Sequence, residues 1–366
     1  MRACIAYVLH SGEMFGTERM ALATLHALRE RVGTQNIDAT IIAPPGPVHG
    51  AAKVANLRSR VAANRFALVL ALWAHLRQSP QSALLMTAVW HSVVGHCLQT
   101  LCAGRGMHLH VVHGGTDEAR SYGRKRWLAR LPIRLIAISN FVRDRLLAHG
   151  VPAEQITVIG NFLPTPSINT REPFEQPGIR RVVMISRLDP IKRVGLLFDA
   201  LDCCPALANL EFEIFGSGEL ESTLRARALA YPNVQLHGFV ASAKEALLRA
   251  DLLLHTCPEE PFGLVLLEAF AAGVPVLVPN SGGAAEIVYD GINGWHFSAN
   301  DARSLAQRLT ILMDMPANKL NAIVHSGRGS LSTRHDPTAL AGSYARLLGL
   351  RNRTINRTRI PVAYEA

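Results

Sequence analysis

The sequence predicts an α/β protein with two doubly wound parallel sheets. Three observations carry this. Strand-like and helix-like stretches alternate along nearly the whole 366-residue chain. One stretch rich in proline and polar residues, Leu163–Gly178 (LPTPSINTREPFEQPG), interrupts the alternation, which then restarts. Hydrophobic residues make up 49% of the chain, enough apolar side chain for two cores. Alternation of this kind makes successive strands parallel with right-handed crossovers. Length favours two domains, and the interruption has the composition of a linker.

In order, Ala3–Leu9 reads as a strand, Thr17–Arg31 as an amphipathic helix and Ile37–Ala43 as the next strand. Short apolar runs follow at Ala83–Thr87, His108–His113, Arg134–Ile138 and Ile156–Ile159, with helical patterns between most of them. Beyond the linker the strands are Arg181–Ser186, Phe212–Phe215, Val234–Leu236, Leu252–His255 and Val274–Val278. Asp301–Met315 and Thr338–Leu350 read as closing helices, and the basic tail from Arg351 as loosely ordered. The expected domains are 1–165 and 166–335, with 336–366 returning to the first. Ligands of such sheets bind outside the carboxyl ends of the strands, and two facing domains create a cleft there.

Composition excludes several classes. Disorder is incompatible with this apolar content. The longest apolar stretch, Phe66–Ala74, lies between Arg65 and Arg77 and falls far short of the ~20 residues a bilayer span needs. The amino terminus, MRACIAYVLHSG, is too short in apolar residues for a secretory signal. Six cysteines make neither a disulfide framework nor a paired C-x-x-C metal spacing, so the expectation is a soluble protein of a reducing compartment.

The net charge of +10 is unevenly placed. Residues 1–165 hold 18 Lys and Arg against 8 Asp and Glu, whereas 166–366 hold 20 of each. Such a half suits an anionic lipid surface, an acidic substrate, or plain solvation. Nucleic acid is the weakest partner, since the basic runs lack interleaved aromatics. Val61–Leu76 mixes basic and apolar residues, which fits an interfacial segment or an ordinary core helix.

Chemistry concentrates in Pro258–Val278, PEEPFGLVLLEAFAAGVPVLV. Glu260 lies just before a helix starting near Gly263, and Glu268 about a turn and a half inside it. Glu268 stands among Leu264, Val265, Leu266, Leu267, Ala269 and Phe270, where an unpaired carboxylate costs several kcal/mol. It needs a cationic partner, water, or a ligand hydroxyl. The amino end of that helix offers free N–H groups to a phosphate. Ser186–Arg193, SRLDPIKR, follows a strand and places Arg187 and Lys192 where two cations can neutralise a diphosphate, or serve as routine surface charges. Phe215–Glu219, FGSGE, lacks the third glycine of a dinucleotide fingerprint and reads as a tight turn. In His10–Glu18, HSGEMFGTE, Gly12 and Gly16 permit close backbone approach to a ligand. His113 ends a strand in HVVHGGT, as a polar group for a ligand or as a satisfied core histidine.

Arg187, Lys192, the Glu260/Glu268 pair and SGGAAEIVYDGINGW (Ser281–Trp295) together resemble the family-4 retaining glycosyltransferases. The resemblance extends to AISNFVRDRLLAHGVPAEQITVIGNF (Ala137–Phe162) and is clearest in the carboxyl-terminal half. It implies the GT-B fold, two Rossmann-like domains about a cleft, with an acceptor-binding first domain and a nucleotide-sugar-binding second one. It further implies that Arg187 and Lys192 hold the donor diphosphate and that Glu268 accepts from the ribose hydroxyls. Glu260 then meets the donor sugar, and Phe262, Gly263 and Leu264 lend backbone N–H groups. Gly16 approaches the phosphates, and His113 matches the family's cleft histidine. Two departures concern the loop contacts and the acceptor side: FGTE replaces a double glycine, and Phe162 stands where glycine is common.

No Asp-x-Asp occurs anywhere in the sequence, so transfer is expected without a metal and without a cofactor beyond the nucleotide diphosphate sugar itself. The expected acceptor is a glycan or lipid-linked glycan of surface polysaccharide or glycolipid synthesis. The expected location is cytoplasmic, peripheral on an anionic inner membrane face through the basic first domain. Competing expectations are a sugar-nucleotide synthase or phosphorylase of this fold, or a non-catalytic glycan-binding protein.

Overall fold

The computed structural model describes residues 2–115, 118–163, 169–240 and 242–350. Two compact units emerge, residues 1–110 with 337–366, and residues 111–336. The tail from Arg351 and positions 164–168 of the expected linker lie outside the described residues.

The first unit runs β1 (Ala3–Val8), α1 (Gly16–Val32), β2 (Ile37–Ala43), α2 (Val48–Val54), β3 (Arg58–Val61), α3 (Arg65–Gln78), β4 (Ala83–Met86), α4 (Val89–Leu101) and β5 (His108–Val112), whose last two residues open the second unit. There follow α5 (Glu118–Ser121), β6 (Arg134–Ala137), α6 (Asn140–Ala148) and β7 (Ile156–Val158). The chain continues with β8 (Arg181–Ile185), α7 (Leu196–Cys203), β9 (Glu211–Phe215), α8 (Glu221–Ala228), β10 (Val234–Gly238) and α9 (Lys244–Arg249). It ends through β11 (Leu252–Leu254), α10 (Leu264–Ala272), β12 (Val276–Pro279), α11 (Ala284–Ile287), β13 (Trp295–Phe297), α12 (Ala302–Met313), α13 (Ala317–Thr333) and α14 (Pro337–Leu347). The last helix belongs to the first unit, where Arg31 donates to the Thr338 carbonyl at 3.0 Å.

Two sheets result, ordered β3-β2-β1-β4-β5-β6-β7 and β10-β9-β8-β11-β12-β13. Neighbouring strands run parallel, for example Ile5↔Ala39 and Ile5↔Ala83 in the first sheet and Val183↔Glu213 and Val183↔Leu253 in the second. These are the two doubly wound parallel sheets that the alternation predicts. Central strands are apolar on both faces because helices cover both. Ile5, Ala6, Tyr7 and Val8 are all buried.

Three elements escape a reading by periodicity, each for a physical reason. β3 (RSRV) is an edge strand with both arginines and Ser59 partly or fully exposed, so no apolar alternation is required, and Arg58 pairs with Asp38 at 2.9 Å. β13 has only three residues, and its burial comes from pairing with β12. α13 carries two glycines that speak against a helix, yet a Cβ on Gly327 would lie 2.8 Å from the Phe270 ring, so close packing on α10 requires the small residue.

Burial makes several histidines acid-sensitive. Desolvation holds the imidazoles of His91 and His335 down to about 4 and that of His108 to about 3. Neither ring nitrogen of His108 meets a hydrogen-bond partner among the described residues. Below pH ~6.5 the unfolded chain takes up protons that these folded imidazoles refuse, so stability is complete above that value and falls as pH falls, by up to ~1.4 kcal/mol per pH unit for each histidine. The melting temperature is therefore expected to be level above pH ~7 and to drop steeply between pH ~6 and ~4, with His108→Leu flattening the drop. Scanning fluorimetry across that range checks it, and an unchanged melting temperature at pH 5 would contradict the account.

Candidate functional site

The second sheet reverses its strand order between β8 and β11, and a crevice at the carboxyl ends of strands is expected where such a reversal occurs. Four loops leave that edge: Ser186–Arg193 after β8, Gly216–Leu220 after β9, His255–Gly263 after β11 and Asn280–Gly283 after β12. Backbone bonds tie them together. Leu188 N donates to the Ser217 carbonyl at 2.9 Å, and Leu220 N returns to the Leu188 carbonyl at 2.9 Å. Thr256 Oγ1 donates to the Lys192 carbonyl at 2.8 Å. Gly283 N donates to the Glu260 carbonyl at 2.6 Å, and Ser281 Oγ to the Pro258 carbonyl at 2.8 Å. Gly283 is obligatory here, since a Cβ on it would stand 2.2 Å from the Pro261 carbonyl oxygen.

At the centre, Lys192 Nζ meets Glu260 Oε2 at 2.6 Å, and His255 Nε2 lies 3.4 Å from the same oxygen. Burial by itself would raise the Glu260 carboxyl, but the Lys192 ammonium and His255 outweigh it and hold it well below the usual carboxylate range. Burial likewise opposes charge on Lys192, and the adjacent Glu260 carboxylate prevails and raises its pKa. Both groups are ionised at neutral pH.

The other expected residues distribute as follows. Arg187 extends from the same loop, pairs with Asp189 at 2.7 Å and keeps 62% of its side chain exposed. Phe262 is buried, and Gly263 takes φ +94°, a left-handed turn that feeds the chain into α10. Among the described residues no side chain caps α10. Leu264, Val265 and Glu268 are the partly open positions of its first five residues and share one helical face, whereas Leu266, Leu267, Ala269 and Phe270 are buried. Glu268 is thus half-buried on the remaining open stripe rather than sunk in the core. His113 is also half-buried, and its neighbour Gly114 abuts Pro261, where a Cβ would come within 2.5 Å of the proline ring. Gly16 opens α1 in the first unit and is exposed.

Sequence reasoning missed a clasp on this loop. Ser139 Oγ caps α6 by accepting from Val142 N at 3.1 Å and donates to the Pro261 carbonyl at 2.6 Å. Glu286 accepts from Asn140 N at 2.8 Å and from Phe141 N. The serine before a helical pattern in AISNF was a readable cap signal; nothing local pointed Glu286 at α6.

Among the described residues, one group of potential metal ligands converges: donor atoms of His255, Cys257 and Glu260 lie within 4.8 Å of one another. Its chemistry suits the lysine better than a metal. The Lys192 ammonium already neutralises Glu260, and burial pushes the Cys257 thiol up to about 11, so it keeps its proton at neutral pH.

Residues 169–330 match the family Glycosyl transferases group 1, and residues 16–165 match Glycosyltransferase Family 4. The chain belongs to glycosyltransferase family 4. Among curated family relatives, the amylovoran biosynthesis glycosyltransferase AmsK of Erwinia amylovora is 30% identical over 54% of this chain and 52% of its own. The glycogen synthase of Mycobacterium tuberculosis is 30% identical over 58% and 53% respectively. The glycosyltransferase chain thus spans about half the length of the curated relatives it matches. Anabaena HepE, solved in complex with UDP and glucose, superposes with a TM-score of 0.79 at 21% identity, covering 95% of this chain and 100% of that one. At that identity the likeness establishes the fold, the two Rossmann-like domains of the GT-B glycosyltransferases.

Proposed function

We propose that this glycosyltransferase moves a hexose from a nucleotide diphosphate sugar, UDP- or GDP-linked, to a glycan or lipid-linked glycan of surface polysaccharide or glycolipid synthesis. The anomeric configuration is retained and no metal takes part. The observation that carries the reading is the Lys192–Glu260 pair at the reversal of the second sheet, flanked by Arg187 and by the open face of α10. Departure of a nucleotide diphosphate needs positive charge held in place beforehand, and Lys192, Arg187 and the uncapped amino end of α10 supply it. Glu268, on the open face, accepts from the ribose hydroxyls. Glu260, its orientation set by Lys192 and His255, meets the sugar, with Phe262, Gly263 and Leu264 lending backbone amides. His113 reaches the sugar from the loop against Pro261. The acceptor hydroxyl then attacks on the face that the diphosphate leaves, and a leaving phosphate oxygen takes its proton. HepE has been solved with UDP-glucose, which supports a UDP-sugar as the first donor to try.

The test is a panel of UDP- and GDP-sugars read by thermal stabilisation and by donor hydrolysis. One donor should raise the melting temperature of the wild-type protein, and Glu268→Ala should weaken its binding ~10- to 100-fold, the loss of hydrogen bonds to a charged acceptor. Unaltered donor affinity in Glu268→Ala would refute the assignment of that residue.

A further inference from the structure

We infer that the outer faces of α3 and α4 dock the protein on an anionic lipid bilayer. α3 is apolar on both sides. Leu68, Leu72, His75 and Leu76 are buried, and the first, second and last of these leucines belong to the core cluster with Ala6, Val8, Ile42 and Leu84. At about 100° per residue, Phe66, Leu70, Trp73 and Arg77 fall within an arc of about 60° on the opposite side. There Phe66 is 72% exposed, Leu70 44% and Trp73 42%. The solvent side of a surface helix is ordinarily polar, and an apolar one marks a contact surface.

α4 packs on the same cluster through Trp90 and Leu98 and also turns apolar groups outward, Val93 and Leu101, without a single charged residue along its length. Arginines rim these faces. Arg65 lies over the Trp90 ring at 5.4 Å and Arg77 over the Trp73 ring at 5.2 Å.

Charge selects the occupant. Between Asp38 and Asp117 the sequence holds six Lys and Arg and no Asp or Glu. A second copy seated on this face would oppose arginine to arginine with no carboxylate from that stretch to offset them. An anionic bilayer complements both features, because arginines beside tryptophan suit the headgroup level and Phe66, Leu70 and Leu101 suit the acyl boundary. The inference rests on this surface alone and not on the donor site, so the two can fail separately.

Flotation with phosphatidylcholine vesicles, with and without about one third phosphatidylglycerol, tests it. Binding is expected to be at least ~10-fold tighter with the anionic lipid, to fall at least ~10-fold as salt rises from ~0.05 to ~0.5 M, and to bring Trp73 within quenching reach of brominated acyl chains. Phe66→Ser with Trp73→Ser should reduce vesicle binding at least ~10-fold while leaving the melting temperature in place, as exposed substitutions do. Should that pair fail to fold, Leu101→Glu serves the same purpose. Absent or equal binding to the two vesicle types, binding indifferent to these substitutions, or a solution dimer that the same substitutions dissolve would each overturn the proposal.

Discussion

Lys192→Ala is expected to abolish sugar transfer and to lower unfolding free energy by ~3–5 kcal/mol, because it leaves the nearly buried Glu260 carboxylate without its cation. A control separates the two effects. In Lys192→Ala/Glu260→Ala the stranded charge is gone, so most of the stability should return while transfer stays absent. The pH dependence has a definite sign. In the wild type Glu260 is held below its unfolded value, so its contribution is whole above pH ~4.5 and declines as pH falls further. In Lys192→Ala burial dominates, Glu260 is raised, and protonation relieves the penalty as pH falls. The stability gap between the two proteins should therefore be wide at pH 7 and narrow at pH 4.5. Denaturant melts at both values decide it; a constant gap would remove the pair from the centre of the site.

Gly216→Ala should be nearly as severe, acting through the backbone. Gly216 has φ +143°, and a Cβ there would lie 1.8 Å from the Ser186 carbonyl oxygen. The conformation itself costs ~1–3 kcal/mol for any other residue. The overlap also forces apart the loops that Ser186 N→Phe215 O and Leu188 N→Ser217 O hold together. Since Ser186 precedes Arg187, the expected outcome is a loss of at least ~3 kcal/mol in stability together with donor binding weakened more than ~10-fold. Gly195→Ala is the matched control: it sits in open space at φ −57° and should change neither quantity. Equal behaviour of the two variants would show that the turn after β9 does not hold the Ser186–Arg193 loop in place.

Much of the architecture was legible because its signals are local. β2 spans the same residues that apolar alternation marks, and most other strands agree within a residue or two. The spacing of Glu260 and Glu268 about Gly263 reads directly as one group before a helix and one inside it. What escaped was non-local. Lys192 and Glu260 stand 68 positions apart, and each looked like a separate contact to a ligand until β8 and β11 proved adjacent. Glu286 is joined to the start of α6 across a separation of 145 residues from Phe141, which no window on the sequence contains.

The sequence by itself determined the α/β class, the two sheets, the family and the residue types gathered at the strand ends, since periodicity, turn chemistry and motif spacing are properties of neighbouring positions. Only the tertiary structure decided which charges neutralise each other, which face of α10 leaves Glu268 half-open, and that α3 turns Phe66 and Trp73 outward while burying Leu72. Those outcomes depend on which elements lie side by side: burial and Coulomb energy act through space and are indifferent to the order of residues along the chain.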